Sequence, residues 1–268
     1  GAVRDLLLGA KPRDYDIITT AIPKQLRKAY KIKYINASHP VYILRIGRHD
    51  IEISCVDKPC NHEQSFLLDT LRRDCTINAM YFNPLTKSLL DPLNAYSDIQ
   101  NRIVRFIDHD IVPTDPIRII RALHLSAKTG FSIEDKTSCT IRTIRRNANI
   151  KINANKLTHY LKRVIFSGHA ADTFKLFKQY NIRQPFILLT PNNINDKALL
   201  SIMQKMDADS AKSLSNFYLY LLEALGPTCV QEAHKALSKV FKTTCCLLPK
   251  YRRQEYRNKT IQKWIKAS

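Results

Sequence analysis

Near residue 110 the spacing of apolar residues changes period, and this change constrains the fold more than any single motif. Before it, short β-branched or alternating runs are separated by turn residues, the mark of a half-buried sheet. Tyr15 to Thr19 reads as a strand, and Pro23 opens a basic helical segment from Lys24 to Tyr30. Val41 to Ile46 and Ile51 to Cys55 form a hairpin whose turn is predicted as Gly47-Arg48-His49-Asp50. Ile77 to Phe82 and Ser88 to Leu90 add further strand-like runs. After it, Ile117, Ile120, Ala122, Leu123 and Ala127 recur at helical spacing, as do Phe174, Leu176, Phe177 and Tyr180. The expected fold class is α+β, an α/β head followed after about residue 110 by helical modules. A 44% hydrophobic content in 268 residues is enough to bury cores of that extent.

The sharpest local feature is Asp14-Tyr15-Asp16 at the start of the first strand. Strand alternation is expected to place Asp14 and Asp16 on one face and to turn Tyr15 and Ile17 the other way into packing. Carboxylates so placed can hold Mg²⁺, the arrangement that two-metal phosphoryl transfer requires, although a lone D-x-D also borders ordinary turns. In Ile51-Glu52-Ile53-Ser54-Cys55 the alternation points Glu52 away from the apolar face. There it is either a third carboxylate for the same site or an exposed edge residue.

Two basic clusters flank these acids. Gly1 with Arg4 and Asp5 offers a backbone that can approach phosphate and a guanidinium, with Asp5 read as the local organiser of Arg4. A short helix closed by Gly9 follows from the same stretch. Leu71-Arg72-Arg73-Asp74-Cys75-Thr76-Ile77-Asn78 packs two arginines, an acid and an amide together. This is a set able to grip a ribose and triphosphate through forked hydrogen bonds, or else a salt-bridged surface loop.

The charge balance narrows the partners. With 43 Lys+Arg against 23 Asp+Glu the formal net charge is +20, which suits a polyanion, and nucleic acid is the first choice. From Lys239 onward nine Lys/Arg face the single acid Glu255, with Tyr251, Tyr256 and Trp264 interleaved. Lys250, Arg252, Arg253 and Arg257 are therefore the expected RNA-binding residues, a solvated helical face being the alternative. Seven cysteines without a C-x-x-C pair argue against a disulfide framework and a zinc site, and a reducing cytoplasm is expected. No apolar stretch reaches membrane-spanning length, so no membrane partner is expected. The sequence assigns no oligomeric state.

Taken in order, Gly1-Ala2-Val3-Arg4-Asp5-Leu6-Leu7-Leu8-Gly9, then Lys11-Pro12-Arg13-Asp14-Tyr15-Asp16, then Arg72-Arg73-Asp74 with Thr76-Ile77-Asn78-Ala79, then Asp115-Pro116-Ile117-Arg118-Ile119-Ile120-Arg121-Ala122, the motifs resemble the class II tRNA nucleotidyltransferase and bacterial poly(A) polymerase family. The resemblance is strong over residues 1–135 and faint beyond. It implies a mixed-sheet nucleotidyltransferase head over residues 1–108, here expected to be truncated at its N-terminus, then an all-helical neck over 109–168 that reads the nucleotide and a helical body over 169–268 that holds RNA. On matching positions it makes Asp14 and Asp16 the metal ligands and Glu52 the third catalytic carboxylate, with Mg²⁺ as cofactor and ATP as substrate. It assigns Gly1, Arg4, Arg73, Asp74, Asn78, Asp115, Arg118 and Arg121 to nucleotide binding.

Departures from the family pattern are specific. The first motif keeps one glycine of a usual two, Thr114 stands for a common Glu, His124 for a further Arg, and Asp57 for a frequent Arg. Asn94-Ala95 replaces a glycine pair after Asp91, and Thr158 and His159 replace acids of the neck. Within the family, Thr173 to Tyr180 followed by Gln184-Pro185-Phe186 resembles the poly(A) polymerases. Addition of AMP to RNA 3′ ends is therefore expected, with CCA addition to tRNA and RNA binding without turnover as the alternatives.

Overall fold

The computed structural model describes residues 1–21, 23–30, 32–36, 41–47, 49–55, 62–146, 154–182 and 194–225. The chain divides into two compact units, one of residues 1–111 with 131–138 and the other of residues 112–130 with 139–268. The first is α+β and the second is helical, as the change of period predicts.

The first unit is built on a four-stranded mixed sheet of order β1-β4-β3-β2, with β1 Asp16–Thr19, β2 Ile32–Asn36, β3 Val41–Ile46 and β4 His49–Cys55. β4 runs parallel to β1 and antiparallel to β3, which pairs antiparallel with β2. Alternation decides its faces: Ile53 and Cys55 of β4 and Tyr42 of β3 are buried together with Leu26 of α2 (Pro23–Ala29), and Ile51 and Leu44 pack on that cluster. Glu52 consequently lies on the other face.

Three local expectations are corrected. Strand β4 begins at His49, which pairs with Ile46, so only positions 47 and 48 separate the strands rather than four. Gly47 supplies the positive φ of 60° that so tight a reversal needs. Ile77 to Phe82 is not one strand: Thr76–Asn78 is a 3₁₀ turn and only Tyr81–Asn83 is extended, as β5, pairing with β6 Ser88–Leu90. Ile77 and Ala79 are fully buried, so apolar content here reports burial of a turn and not a sheet period. β2, whose Ile32 and Tyr34 are interrupted by Lys33, was not among the predicted strands.

Around these elements α1 (Ala2–Leu7) packs against the 3₁₀ turn, and Gly9, just past its C-cap Leu8, takes the left-handed φ of 70° that lets the chain reverse. α3 spans His62–Arg72 and α4 spans Ala95–Gln100. Asn94, at the entry to α4, is left-handed with φ 54°. This explains how it replaces a glycine: Asn tolerates that conformation better than other side chains. Asp91 then accepts the Ala95 and Tyr96 N–H groups, both at 2.8 Å.

β7 (Ile103–Val104) pairs in parallel with β8 (Ser132–Ile133). Arg105, just after β7, bonds Asp98 and Glu134, and Asp98 also accepts from Thr76 Oγ1 at 2.6 Å. This network ties the 3₁₀ turn to α4.

In the second unit α5 (Ile117–Thr129), α7 (Ala154–Ile165), α8 (Ala170–Gln179), α9 (Asp196–Ala208) and α10 (Leu214–Leu225) form a helical array, and α6 (Asp135–Arg146) starts in the first unit and ends in the second. α5 packs on α7 and α8, while α9 packs on α7, α8 and α10. Most of the predicted stripe is buried: Ile120, Ala122, Leu123, Phe174 and Phe177 are almost inaccessible, while Ala127 and Leu176 are half-buried. Gly130 closes α5 at φ 68°, and the Asp207 carboxylate accepts the Ala170 and Ala171 N–H groups at 2.8 and 2.9 Å, capping α8. Among the described residues no helix is long and apolar enough to cross a membrane.

Candidate active site

The sheet places the acids. Asp16 is the register partner of Glu52 across the parallel β1–β4 pair, so the two side chains rise from adjacent strands on one face. Asp14 lies before β1, so strand alternation does not set its face, and Tyr15 and Ile17, expected to pack, are 53% and 43% exposed. All three acids are exposed, and among the described residues none of their carboxylates has a hydrogen-bond or ion-pair partner. Neighbouring like charges repel, so such a set is most stable with a cation beside it. Among the described residues no three His, Cys, Asp or Glu side chains converge into a metal-holding group. The donors are hard oxygens, however, and Mg²⁺ is commonly held by one or two carboxylates while phosphate and water oxygens complete its shell. The residues present fit that mode.

The basic motifs assemble in the same unit. Arg4 is only 6% exposed; its Nε and Nη2 bond Asp5 Oδ1 at 2.9 and 2.5 Å, and its Nη1 bonds Asn78 Oδ1. Asp5 is thus the organiser of Arg4 that the sequence suggests. Asn78 Nδ2 donates to Asp74 Oδ1 at 3.1 Å, and the same oxygen accepts the Cys75 N–H at 2.9 Å. Four residues separated by up to 74 positions therefore form one hydrogen-bonded chain, Asp5–Arg4–Asn78–Asp74. Its backbone is fixed as well: Thr76 N–H donates to Arg105 O, and Ile107 N–H to Asp74 O. At Gly1 an added Cβ would meet nothing within 4 Å, so protein packing alone does not call for glycine there.

Arg73 is held differently. Its Nε and Nη2 donate to Asp69 Oδ2 at 3.1 and 3.0 Å, and the Tyr81 hydroxyl donates to the same oxygen at 2.6 Å. Burial pulls the Arg73 pKa down, but the Asp69 charge and hydrogen bond outweigh it, with Asp16 adding to the upward shift. The charge of Asp16 therefore acts on Arg73. Burial first, then the hydrogen bond to Asp69, pushes the Tyr81 hydroxyl up to about 12. Asp69 and Tyr81 escaped the sequence reading. Asp69 lies four residues before Arg73 on a helix, an i,i+4 ion-pair spacing that could have revealed it, whereas Tyr81 has no local signal.

The remaining predicted residues lie in the second unit or outside the described residues. Asp115 precedes α5, and its Oδ2 is 3.6 Å from Arg118 Nε; Arg121 is exposed one turn further along. His124 bonds Thr173 Oγ1 at 3.0 Å and stands edge-on to Tyr160, and Thr158 is buried. His124 thus serves helix packing where the family commonly has a cation. Lys250, Arg252, Arg253, Arg257, the Gln184-Pro185-Phe186 turn and Asp57 lie outside the described residues.

A mixed sheet carrying adjacent acids, backed by an arginine–amide–acid cluster, defines a nucleotidyltransferase-type head. Residues 1–105 match the family model described as the poly A polymerase head domain. Over these residues the chain is similar to the head domain of that family.

Among relatives, poly(A) polymerase I of Escherichia coli O157:H7 is 28% identical over 209 residues, covering 69% of this chain and 45% of that protein. Mitochondrial CCA tRNA nucleotidyltransferase 1 of Homo sapiens is 28% identical over 234 residues, covering 80% of this chain and 53% of that protein. The chain spans about half the length of the curated relatives it matches.

The fold is similar to that of a tRNA nucleotidyltransferase complexed with a primer tRNA and an incoming ATP analog, with TM-score 0.67, 21% identity, and coverage of 96% of this chain and 78% of the other. It is also similar to the Bacillus stearothermophilus CCA-adding enzyme in complex with CTP, with TM-score 0.67, 22% identity, and coverage of 95% and 62%.

Proposed function

We propose that the chain is the nucleotidyl-transferring part of an enzyme that adds AMP from ATP to RNA 3′ ends without a template. The observation that carries this reading is the register pairing of Asp16 with Glu52 beside Asp14, in the unit that also holds the Arg4–Asn78–Asp74 cluster. In this reading the RNA 3′ hydroxyl attacks the α-phosphorus of ATP in line, the bond from that phosphorus to the bridging oxygen breaks, and pyrophosphate leaves. Asp14 and Asp16, with Glu52 alongside, would hold Mg²⁺, which supplies charge neutralisation along the triphosphate and makes the attacking hydroxyl more acidic.

The chain's own side chains divide the remaining work. Arg73, with 29% of its side chain exposed, is the guanidinium open to the triphosphate. Arg4 is committed to Asp5 and Asn78, so it orders the amide and acid that face the ribose. Asp115, Arg118 and Arg121 are assigned to nucleotide recognition, and residues 109–168 and 169–268 to neck and body. Lys250, Arg252, Arg253 and Arg257 are assigned to RNA.

The test is incorporation of labelled AMP into RNA by the full-length protein. Asp14→Ala and Asp16→Ala are each expected to abolish incorporation while RNA binding stays mostly intact; equal incorporation by variant and parent removes the metal role. CCA addition is the second reading, favoured by the longer match to the CCA-adding relative, 80% of this chain against 69%. ATP alone, or CTP plus ATP, supplied with tRNA lacking its 3′ end separates the two. Long tails on generic RNA support AMP addition, and arrest after three nucleotides supports CCA addition.

A further inference from the structure

Asp69 and Tyr81 have no part in the motifs from which the function is read, yet they converge on one of its residues. Asp69 Oδ2 accepts three donors: Arg73 Nε at 3.1 Å, Arg73 Nη2 at 3.0 Å and the Tyr81 hydroxyl at 2.6 Å. The Arg73 guanidinium carbon also lies 6.0 Å from the centre of the Tyr81 ring, and the Thr70 hydroxyl donates to Tyr81 Oη at 3.3 Å. Two elements supply these groups: the last turn of α3 carries Asp69 and Thr70, with Arg73 the residue that follows it, and β5 brings Tyr81.

We infer that Asp69 and Tyr81 are positioning residues that hold the Arg73 guanidinium in the orientation in which it receives the nucleotide triphosphate. The inference rests on the nucleotide-binding reading of the site. Its physical content is preorganisation. An exposed arginine must give up side-chain freedom when it binds phosphate, and one already fixed by two N–H bonds and a ring face has little left to lose. An acid that only neutralised Arg73 would not need a hydroxyl on the same oxygen. That hydroxyl holds the carboxylate, so the carboxylate in turn holds the arginine. Burial and the hydrogen bond to Asp69 raise the Tyr81 pKa, which favours the protonated, donating hydroxyl.

Equilibrium binding of ATP with Mg²⁺ to the full-length protein, followed by steady-state AMP incorporation, tests the inference. Asp69→Asn and Tyr81→Phe are expected to weaken ATP binding and raise its KM by about tenfold, equivalent to about 1.4 kcal/mol, with kcat within about twofold of the parent. Asp69→Glu is expected to recover part of the loss.

The decisive measurement is the double variant. In an Arg73→Ala background, Asp69→Asn is expected to add no further loss of ATP affinity, since it acts only through that arginine. An equal further loss in that background, or unchanged ATP affinity in both Asp69→Asn and Tyr81→Phe, overturns the clamp. Should Arg73→Ala itself leave ATP affinity unchanged, or should the parent bind no ATP, the nucleotide-binding reading falls and the clamp with it. Melting temperatures of all variants separate a folding defect from a lost orientation.

Discussion

At the scale of single residues the site is held by polar atoms that have surrendered water. Arg4, Asp5 and Asp74 are each less than a tenth exposed, and hydrogen bonds join Arg4 to Asp5 and Asn78, and Asn78 to Asp74. Asn78→Ala would leave both Arg4 and Asp74 short of a partner, which is expected to lower unfolding stability by about 1–3 kcal/mol. Chemical denaturation at neutral pH measures it. Tyr81 offers a pH test. Its folded pKa is raised from 10.0 to about 12, so the folded state favours the protonated hydroxyl. That contribution is complete below pH 10 and is lost as the pH rises toward about 12. Stability of the parent should fall over that interval, and Tyr81→Phe should flatten the fall.

At the scale of elements, the β1–β4 pair matters most, because a strand's register decides which side chains share a face. A slip of one residue would carry Glu52 into the apolar cluster and bring Ile53 to Asp16. Ile53 is 4% exposed against Tyr42, Leu26 and Cys55 and is the residue that resists such a slip. Ile53→Ala is expected to cost about 2–5 kcal/mol and to broaden the unfolding transition. A midpoint within experimental error of the parent would show that the sheet core does not hold this register. The β3–β4 hairpin was legible from alternation, although its turn is shorter than the four residues that polarity suggested. The segment from Ile77 to Phe82 was misread because a buried 3₁₀ turn and a buried strand have the same apolar content over so few residues.

At the scale of the whole molecule, the formal charge of +20 governs encounter with a polyanion. RNA affinity is expected to fall linearly on a log–log plot against salt, with slope about −0.7 for each phosphate neutralised. Replacing Lys250, Arg252, Arg253 and Arg257 together by Ala should flatten that slope by about 0.7 for each phosphate that is no longer neutralised. An unchanged slope would remove the basic C-terminal stretch from the RNA surface.

What the sequence by itself determined is local in origin: the change from strand to helical period, the turn glycines, the face on which Glu52 falls, and the motifs that mark Asp14, Asp16, Arg73 and Asn78. Each follows from spacing along a few residues or from an ordered string of motifs. Tertiary structure alone decided which of these meet. The parallel pairing that sets Asp16 beside Glu52 crosses 36 positions, and the bond from Arg4 to Asn78 crosses 74. Tyr81 on Asp69, and His124 on Thr173, are equally invisible to periodicity. Long-range partners are selected by the packing of whole elements, and no window of sequence holds both sides of such a pairing.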